Sequence, residues 1–125
     1  MPVQENVKQL ISMVEEGNFL EAIQQFYAEE ASMQENNDPP RVGLRALLER
    51  ERQFLNSIRG MHVHRAVSFV ADGDRAAINW IFETTDGQGK KRRLDEVAYQ
   101  LWRGDKIIQE RFYYDPAQRQ VEIDG

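Results

Sequence analysis

The stretch MHVHRAVSFVA, Met61 to Ala71, decides the fold. Upstream of it, apolar residues recur at helical spacing. From Gly60 the period drops from about 3.6 residues to about 2. Met61, Val63, Val67 and Phe69 make one phase, and His62, His64, Ala66 and Ser68 the other. A turn signal at Asp72-Gly-Asp74 follows, and then RAAINWIFETT alternates Ala76, Ile78, Trp80 and Phe82 against Asn79, Ile81 and Glu83. Asp86-Gly-Gln-Gly89 is a second turn, KRRLDEVAYQLW a third strand, Arg103-Gly-Asp105 a third turn and KIIQERFYY a fourth strand. Pro116 ends the pattern, and VEIDG has no assignable element.

Ahead of this meander, Val7, Leu10, Ile11 and Val14 mark a helix ended by Gly17. Asn18 is placed to cap a second helix, whose apolar face carries Phe19, Ala22, Ile23 and Phe26. A short strand, Ser32 to Glu35, runs into the break at Pro39 and Pro40, and a third helix covers about Leu44 to Ile58. Helices grouped before an antiparallel meander predict an α+β fold with the helices laid on one sheet face. Strands of this length curl readily, and a curled sheet closed by helices encloses a pocket.

The chain reads as one domain over residues 1–125, with about 117–125 as a tail. A net charge of -5 argues against generic nucleic-acid binding, which needs a basic surface. No cysteine is present, so disulfides and thiolate chemistry are excluded. No apolar run approaches the roughly 20 residues needed to cross a bilayer, and MPVQENVKQL lacks a signal pattern. A soluble, cytoplasmic protein without membrane contact is the expectation.

Both phases of the last two strands are substantially apolar. One holds Glu96, Ala98, Gln100, Trp102, Ile108, Glu110, Phe112 and Tyr114; the other holds Val97, Tyr99, Leu101, Ile107, Gln109, Arg111 and Tyr113. An apolar outward phase marks an association surface, so a homodimer through the outer sheet face is expected. The alternative is that the C-terminal tail folds over it.

This order of elements, with FLEAIQQFYAEEASM, the break PPRVG and the closing hairpin LWRGDKIIQERFYYDP, resembles the SnoaL-like branch of the nuclear transport factor two superfamily. The resemblance covers nearly the whole chain and implies a cystatin-like cone of curved antiparallel sheet wrapped by three helices, a pocket inside, and commonly a dimer. Ketosteroid isomerases, polyketide cyclases, epoxide hydrolases and non-catalytic binders share that superfamily. Against the isomerase pattern, Glu35 falls at the position of the proton-shuttling base. The oxyanion donors of that pattern fall at Leu10 and at Val97 or Ala98, so neither donor is present. Losing one such donor costs roughly 10²–10³ in rate, which counts against steroid isomerisation by that route.

The residues offer further candidates. Glu35, on an apolar strand, is expected to have a raised pKa if desolvated; alternatively it pairs with Arg41 and fixes the Pro-Pro loop. Glu96 and Glu110 share the inward phase, where nearby carboxylates split their pKa values and the raised one becomes an acid. Alternatively each pairs with an arginine such as Arg65 or Arg93. Asn36, Asn79, Gln100 and Tyr114 are candidate polar partners, and Met33, Met61, Trp80, Phe82, Trp102 and Phe112 line either a solid core or a ligand cavity. His62 and His64 share a spacing that can hold a metal, but their phase is the outer one, so no metal site is assigned. GKKRR, Gly89 to Arg93, reads as a solvated hairpin tip. No cofactor is implied. Two functions fit: an isomerase, cyclase or hydrolase acting on an apolar carbonyl-bearing or cyclic compound by carboxylate general acid/base catalysis, with Glu35, Glu96 and Glu110 as the catalytic carboxyls, or a non-catalytic ligand-binding or dimerisation module.

Overall fold

Helix α1 (Val3–Glu15) buries Asn6, Val7 and Leu10 against the rest of the chain, in a computed structural model that describes residues 2–123. Gly17 ends it in the left-handed region (φ 87°), giving its N–H to Val14 O at 2.9 Å while Asn18 N–H reaches Met13 O at 2.8 Å. Helix α2 (Phe19–Phe26) follows at once and buries Ala22, Ile23 and Phe26. Asn18 sits at its N-cap position, but the side chain makes no cap bond; its carbonyl alone accepts from Ala22 N–H at 3.0 Å.

The first strand is longer than the sequence pattern predicts. Strand β1 runs from Tyr27 to Glu35, directly out of α2, and not from Ser32. Residues 28–31 read AEEA, which favours helix locally; pairing with β6 overrides that preference. A two-residue strand β2 (Arg41–Val42) pairs antiparallel to β1 beyond the proline break, and helix α3 (Leu44–Ser57) buries Leu47 and Leu48. The meander is β3 (Ile58–Asp72), β4 (Arg75–Asp86), β5 (Lys91–Arg103) and β6 (Lys106–Tyr113), and β6 lies parallel to β1. The six strands form one sheet in the order β2-β1-β6-β5-β4-β3, with all three helices in contact with it.

Alternation holds on β4 and β5, where Ala76, Ile78, Trp80, Glu96, Ala98, Gln100 and Trp102 are all buried. It breaks on β3 and β6, at bulges. Register shifts at Ile58/Gly60, Met61/Val63 and Ala66/Ser68 reverse the phase of β3 three times. His64 and Ala66 therefore face the helices, opposite Phe82 and Trp80, while Val67 is exposed. His62 and His64 do not share a face: His62 Nε2 meets Thr85 Oγ1 at 2.6 Å, whereas His64 Nδ1 meets Val14 O at 3.1 Å with Phe19 edge-on to its ring. A shift between Leu101 and Trp102 likewise brings Ile107, not Ile108, opposite Trp102. Ile107 is fully buried and Ile108 only partly so. Such bulges raise local twist and bend the sheet toward the helices.

The described part of the segment after β6 leaves Val97, Tyr99 and Tyr113 on the outer sheet face exposed and brings Gln118 and Arg119 to the inner side. A short 3-10 turn (Pro116–Arg119) takes up the edge of β5 that β6 leaves free beyond Val97. Gln118 bonds both the N–H and the C=O of Asp95, at 2.7 and 3.2 Å, as a neighbouring strand would, and Ile123 N–H reaches Lys91 O at 2.9 Å.

The bulge makes a direct prediction. Ile107→Ala should destabilise the protein by about 2–5 kcal/mol in denaturant titration, and Ile108→Ala by clearly less. Equal losses would mean that the strand keeps strict alternation.

Candidate functional site

Between the sheet and the three helices lies a cavity of about 390 Å³. Its wall is apolar: Trp80 stacks on Phe82 at 5.5 Å, and Met33, Met61, Phe112 and Leu10 surround them. Trp102 does not reach it; that ring is buried against Phe26 at 6.1 Å.

Four carboxyls line this space, and the elements that carry them put each in a different situation. Glu110, on β6, is 2% exposed and fully bonded. Its Oε1 accepts from the Tyr27 hydroxyl and its Oε2 from Gln100 Nε2 at 2.7 Å, while Gln100 Oε1 accepts from the Trp102 indole N–H at 3.0 Å. Burial pushes Glu110 up to about 7 although both hydrogen bonds pull it down, and burial with the facing Glu110 charge raises the Tyr27 hydroxyl well above its ordinary value.

Glu96, on β5, is 6% exposed; its backbone carbonyl accepts from Asn79 Nδ2 at 3.0 Å, but its side chain makes no hydrogen bond or ion pair with any described residue. Fully buried side-chain polar atoms all have partners here, so its oxygens face the cavity. Burial first, then repulsion from Glu110 and Glu35, lifts it to about 8, with Arg119 opposing. Glu96 and Glu110 are not cross-strand neighbours: Glu110 pairs with Gln100, four residues from Glu96, or about 13 Å along the strand. Neither is paired with Arg65 or Arg93, whose guanidinium in the second case lies 2.7 Å from Glu83.

Glu35, at the end of β1, is held by cations. Arg119 pairs with its Oε1, the Tyr114 hydroxyl donates to the same oxygen at 3.0 Å, and Arg41 lies 3.8 Å from Oε2. The Arg119 guanidinium also sits over the Tyr114 ring at 5.0 Å, and burial followed by the Glu35 charge pushes that hydroxyl up to about 12. Burial raises the pKa of Glu96 and Glu110, and with them that of a fourth carboxyl on α3. Asn36 stands outside the cavity: at φ 50° it ends β1, and its side chain accepts from Tyr114 N–H at 3.0 Å. Tyr114 borders the cavity only through Glu35.

Glu51, the fourth carboxyl, comes from α3, and burial raises its pKa while Arg50 opposes. Sequence reasoning passed over it because it lies in the charged run ERER. One signal was there: at i+4 from Leu47, i+3 from Leu48 and i−3 from Phe54, it is a lone acid on an apolar helix stripe. Tyr27 was hidden by the helix-like reading of its neighbourhood, and Arg119 by a tail without pattern. The remaining cations at the rim are engaged, Arg92 with Asp86 at 2.8 Å and Arg93 with Glu83. Among the described residues no group of three or more His, Cys, Asp or Glu is arranged to hold a metal ion, and no helix is long and apolar enough to cross a membrane.

No curated protein matches the sequence significantly. Solved structures share the fold at low identity. A Mesorhizobium loti protein assigned provisionally as a SnoaL-like polyketide cyclase aligns with a TM-score of 0.83 and 23% identity, over 91% of this chain and 100% of its own. A Xanthomonas campestris protein of unknown function with a cystatin-like fold gives 0.80 and 16%, over 95% of each chain. A Mycobacterium tuberculosis epoxide hydrolase of the LEH-like kind gives 0.74 and 11%, over 91% of this chain and 83% of its own. At these identities the likeness is one of fold. The model of the SnoaL-like domain matches residues 7–110, and the chain therefore belongs to the SnoaL-like domain family.

Proposed function

We propose that the protein binds an apolar, carbonyl-bearing or cyclic small molecule in this cavity and moves protons on it by carboxylate general acid/base catalysis. Glu96 carries the reading. A carboxyl that is nearly buried, unbonded within the protein and lifted to about 8 keeps its proton at neutral pH and presents an O–H to whatever fills the cavity. A carbonyl, ether or epoxide oxygen is the complement of that donor, and the stacked Trp80 and Phe82 suit a flat or cyclic apolar body. An isomerase, a cyclase and a hydrolase would each use such an acid against an ionised carboxylate facing the same space, and positioned acid/base groups supply roughly 10²–10⁴ in rate. Glu110, satisfied by Tyr27 and Gln100, acts as a positioning residue for the wall that carries Glu96. A binding module without turnover is the second reading. One observation favours it: Leu10, at the place of a family oxyanion donor, lines the cavity as an apolar residue.

The outer sheet face supports a homodimer as a companion proposal. Val97, Tyr99 and Tyr113 are exposed there, with Arg75 and Arg111 stacked on the two tyrosine rings at 5.5 and 4.8 Å. Light scattering should give twice the chain mass, and Val97→Lys should give the single-chain mass. A wild type that stays monomeric at high concentration refutes this.

For the cavity, a thermal-shift screen of hydrophobic ketones and lactones should find compounds that raise the melting temperature, with affinity about tenfold lower in Glu96→Leu, the equivalent of one hydrogen bond. If none stabilises the wild type, the reading fails.

The same group sets a pH dependence of stability. Glu96 and Glu110 titrate near 4.5 when unfolded and near 8 and 7 in the fold. Between those values the native state holds protons that the unfolded chain has lost. Stability must therefore fall as pH rises through that window, by about 1.4 kcal/mol per pH unit for each group. Glu96→Gln removes its share, so denaturant midpoints measured at pH 6 and pH 9 should differ less for this variant than for the wild type.

A further inference from the structure

We infer that Glu51, and not Glu35, is the carboxylate that takes the proton opposite Glu96. This rests on the cavity reading above and assigns its base to a residue on α3.

Three placements carry it. Glu35 is already held by the protein: Arg119 and the Tyr114 hydroxyl share one oxygen, and Arg41 lies 3.8 Å from the other. A ligand must therefore compete with Arg119 and Tyr114 for this carboxylate. Glu110 is closed off by Tyr27 and Gln100. Glu51 lines the cavity from the helix side, while Glu96 lines it from the sheet side, and the side chain of neither makes a hydrogen bond with any described residue. A ligand lying on Trp80 and Phe82 is thus flanked by two open carboxyls on different walls. The groups that interact with Glu51 are Arg50 on its own helix, Tyr27 on β1, and Glu96 and Glu110 on the sheet, while Arg41 on β2 and Arg119 on the C-terminal turn line the same cavity. Arg50 is the cation that favours the ionised form of Glu51, and burial works against it. That balance makes a carboxylate more basic than one in water while leaving it able to ionise.

The step on a carbonyl compound balances without any co-reactant. Glu51 removes the proton from the carbon next to the carbonyl, that C–H pair becomes the C=C bond, and the carbonyl oxygen takes the proton of Glu96. The ligand leaves as its enol, with Glu51 protonated and Glu96 ionised; the reverse transfers, to the same carbon or to one conjugated with it, restore both groups.

The test uses 5-nitrobenzisoxazole, a flat apolar probe. A carboxylate removes its C3 proton, the C–H pair becomes the C≡N bond, the N–O bond breaks, and the oxygen leaves as a coloured phenolate that can meet Glu96. The wild type should turn it over faster than free acetate at equal concentration. Glu51→Gln should lower kcat by tenfold or more, towards about 10²-fold, with KM little changed, and should abolish the rise of rate with pH. Glu51→Asp should recover part of the rate at wild-type melting temperature. A loss below tenfold in Glu51→Gln overturns the assignment, whatever Glu35→Gln does, and so does a wild type no faster than acetate. In that second case, hydrophobic ketones that still raise the melting temperature would leave the cavity reading standing and sink only the base.

Discussion

Glu110 fixes the geometry on which the site depends. A carboxyl at 2% exposure is tolerable only if its oxygens are bonded, and the partners come from three places in the chain: Tyr27 where α2 becomes β1, Gln100 on β5, and through Gln100 the indole of Trp102. The chain of bonds therefore sets the start of β1, the parallel join of β1 to β6 and the β5–β6 register together. Removing any one member leaves a buried polar group without a partner, which costs more than the bond itself contributed. Against this satisfied network, Glu96 on the same face stands out. It is nearly as removed from bulk water, and no described residue gives its side chain a hydrogen bond.

The contrast between the two acids has a physical reading. Both sit in apolar surroundings and both are lifted, yet Glu110 is held in place while Glu96 is merely enclosed. A fold has no structural use for an enclosed, unbonded acid, since an apolar residue of similar size would stabilise the sheet more. Groups that lower stability in this way persist where something outside the chain supplies the missing partner, and the cavity beside Glu96 is where that partner fits.

Much of this was legible in the sequence, and what was not has identifiable causes. The change of period at Gly60 located the meander, and the phase containing Ala76, Ile78, Trp80, Glu96, Ala98, Gln100 and Trp102 gave the inner face of β4 and β5 correctly, because those strands are regular. On β3, Val63 and Val67 were assigned inward and His64 outward, and on β6 Ile108 was assigned inward in place of Ile107. Each error follows a bulge, which inserts one residue and inverts every side chain beyond it without any composition signal. Position on the sheet located Glu35 at the cavity wall, with Arg41 and Tyr114 among its expected partners, but its third partner is Arg119, a tail residue that no local pattern could bring 84 positions back along the chain.

Glu51 shows the limit from the other side. Its helix is charged on most of its surface, so an acid there reads as solvated; only the coincidence of Leu47, Leu48 and Phe54 on the same stripe marks it as turned inward. Helix faces and sheet faces are read by different periods, and a site assembled between a helix and a sheet requires both to be read at once. The carboxyls that matter here are those that violate their own element's pattern: Glu96 on an apolar sheet face and Glu51 on an apolar helix stripe. Two such violations opening onto one cavity are harder to attribute to packing than either alone, because a core tolerates an isolated misplaced acid by letting it reach solvent, and Glu96, at 6% exposure, opens onto the space that Glu51 shares.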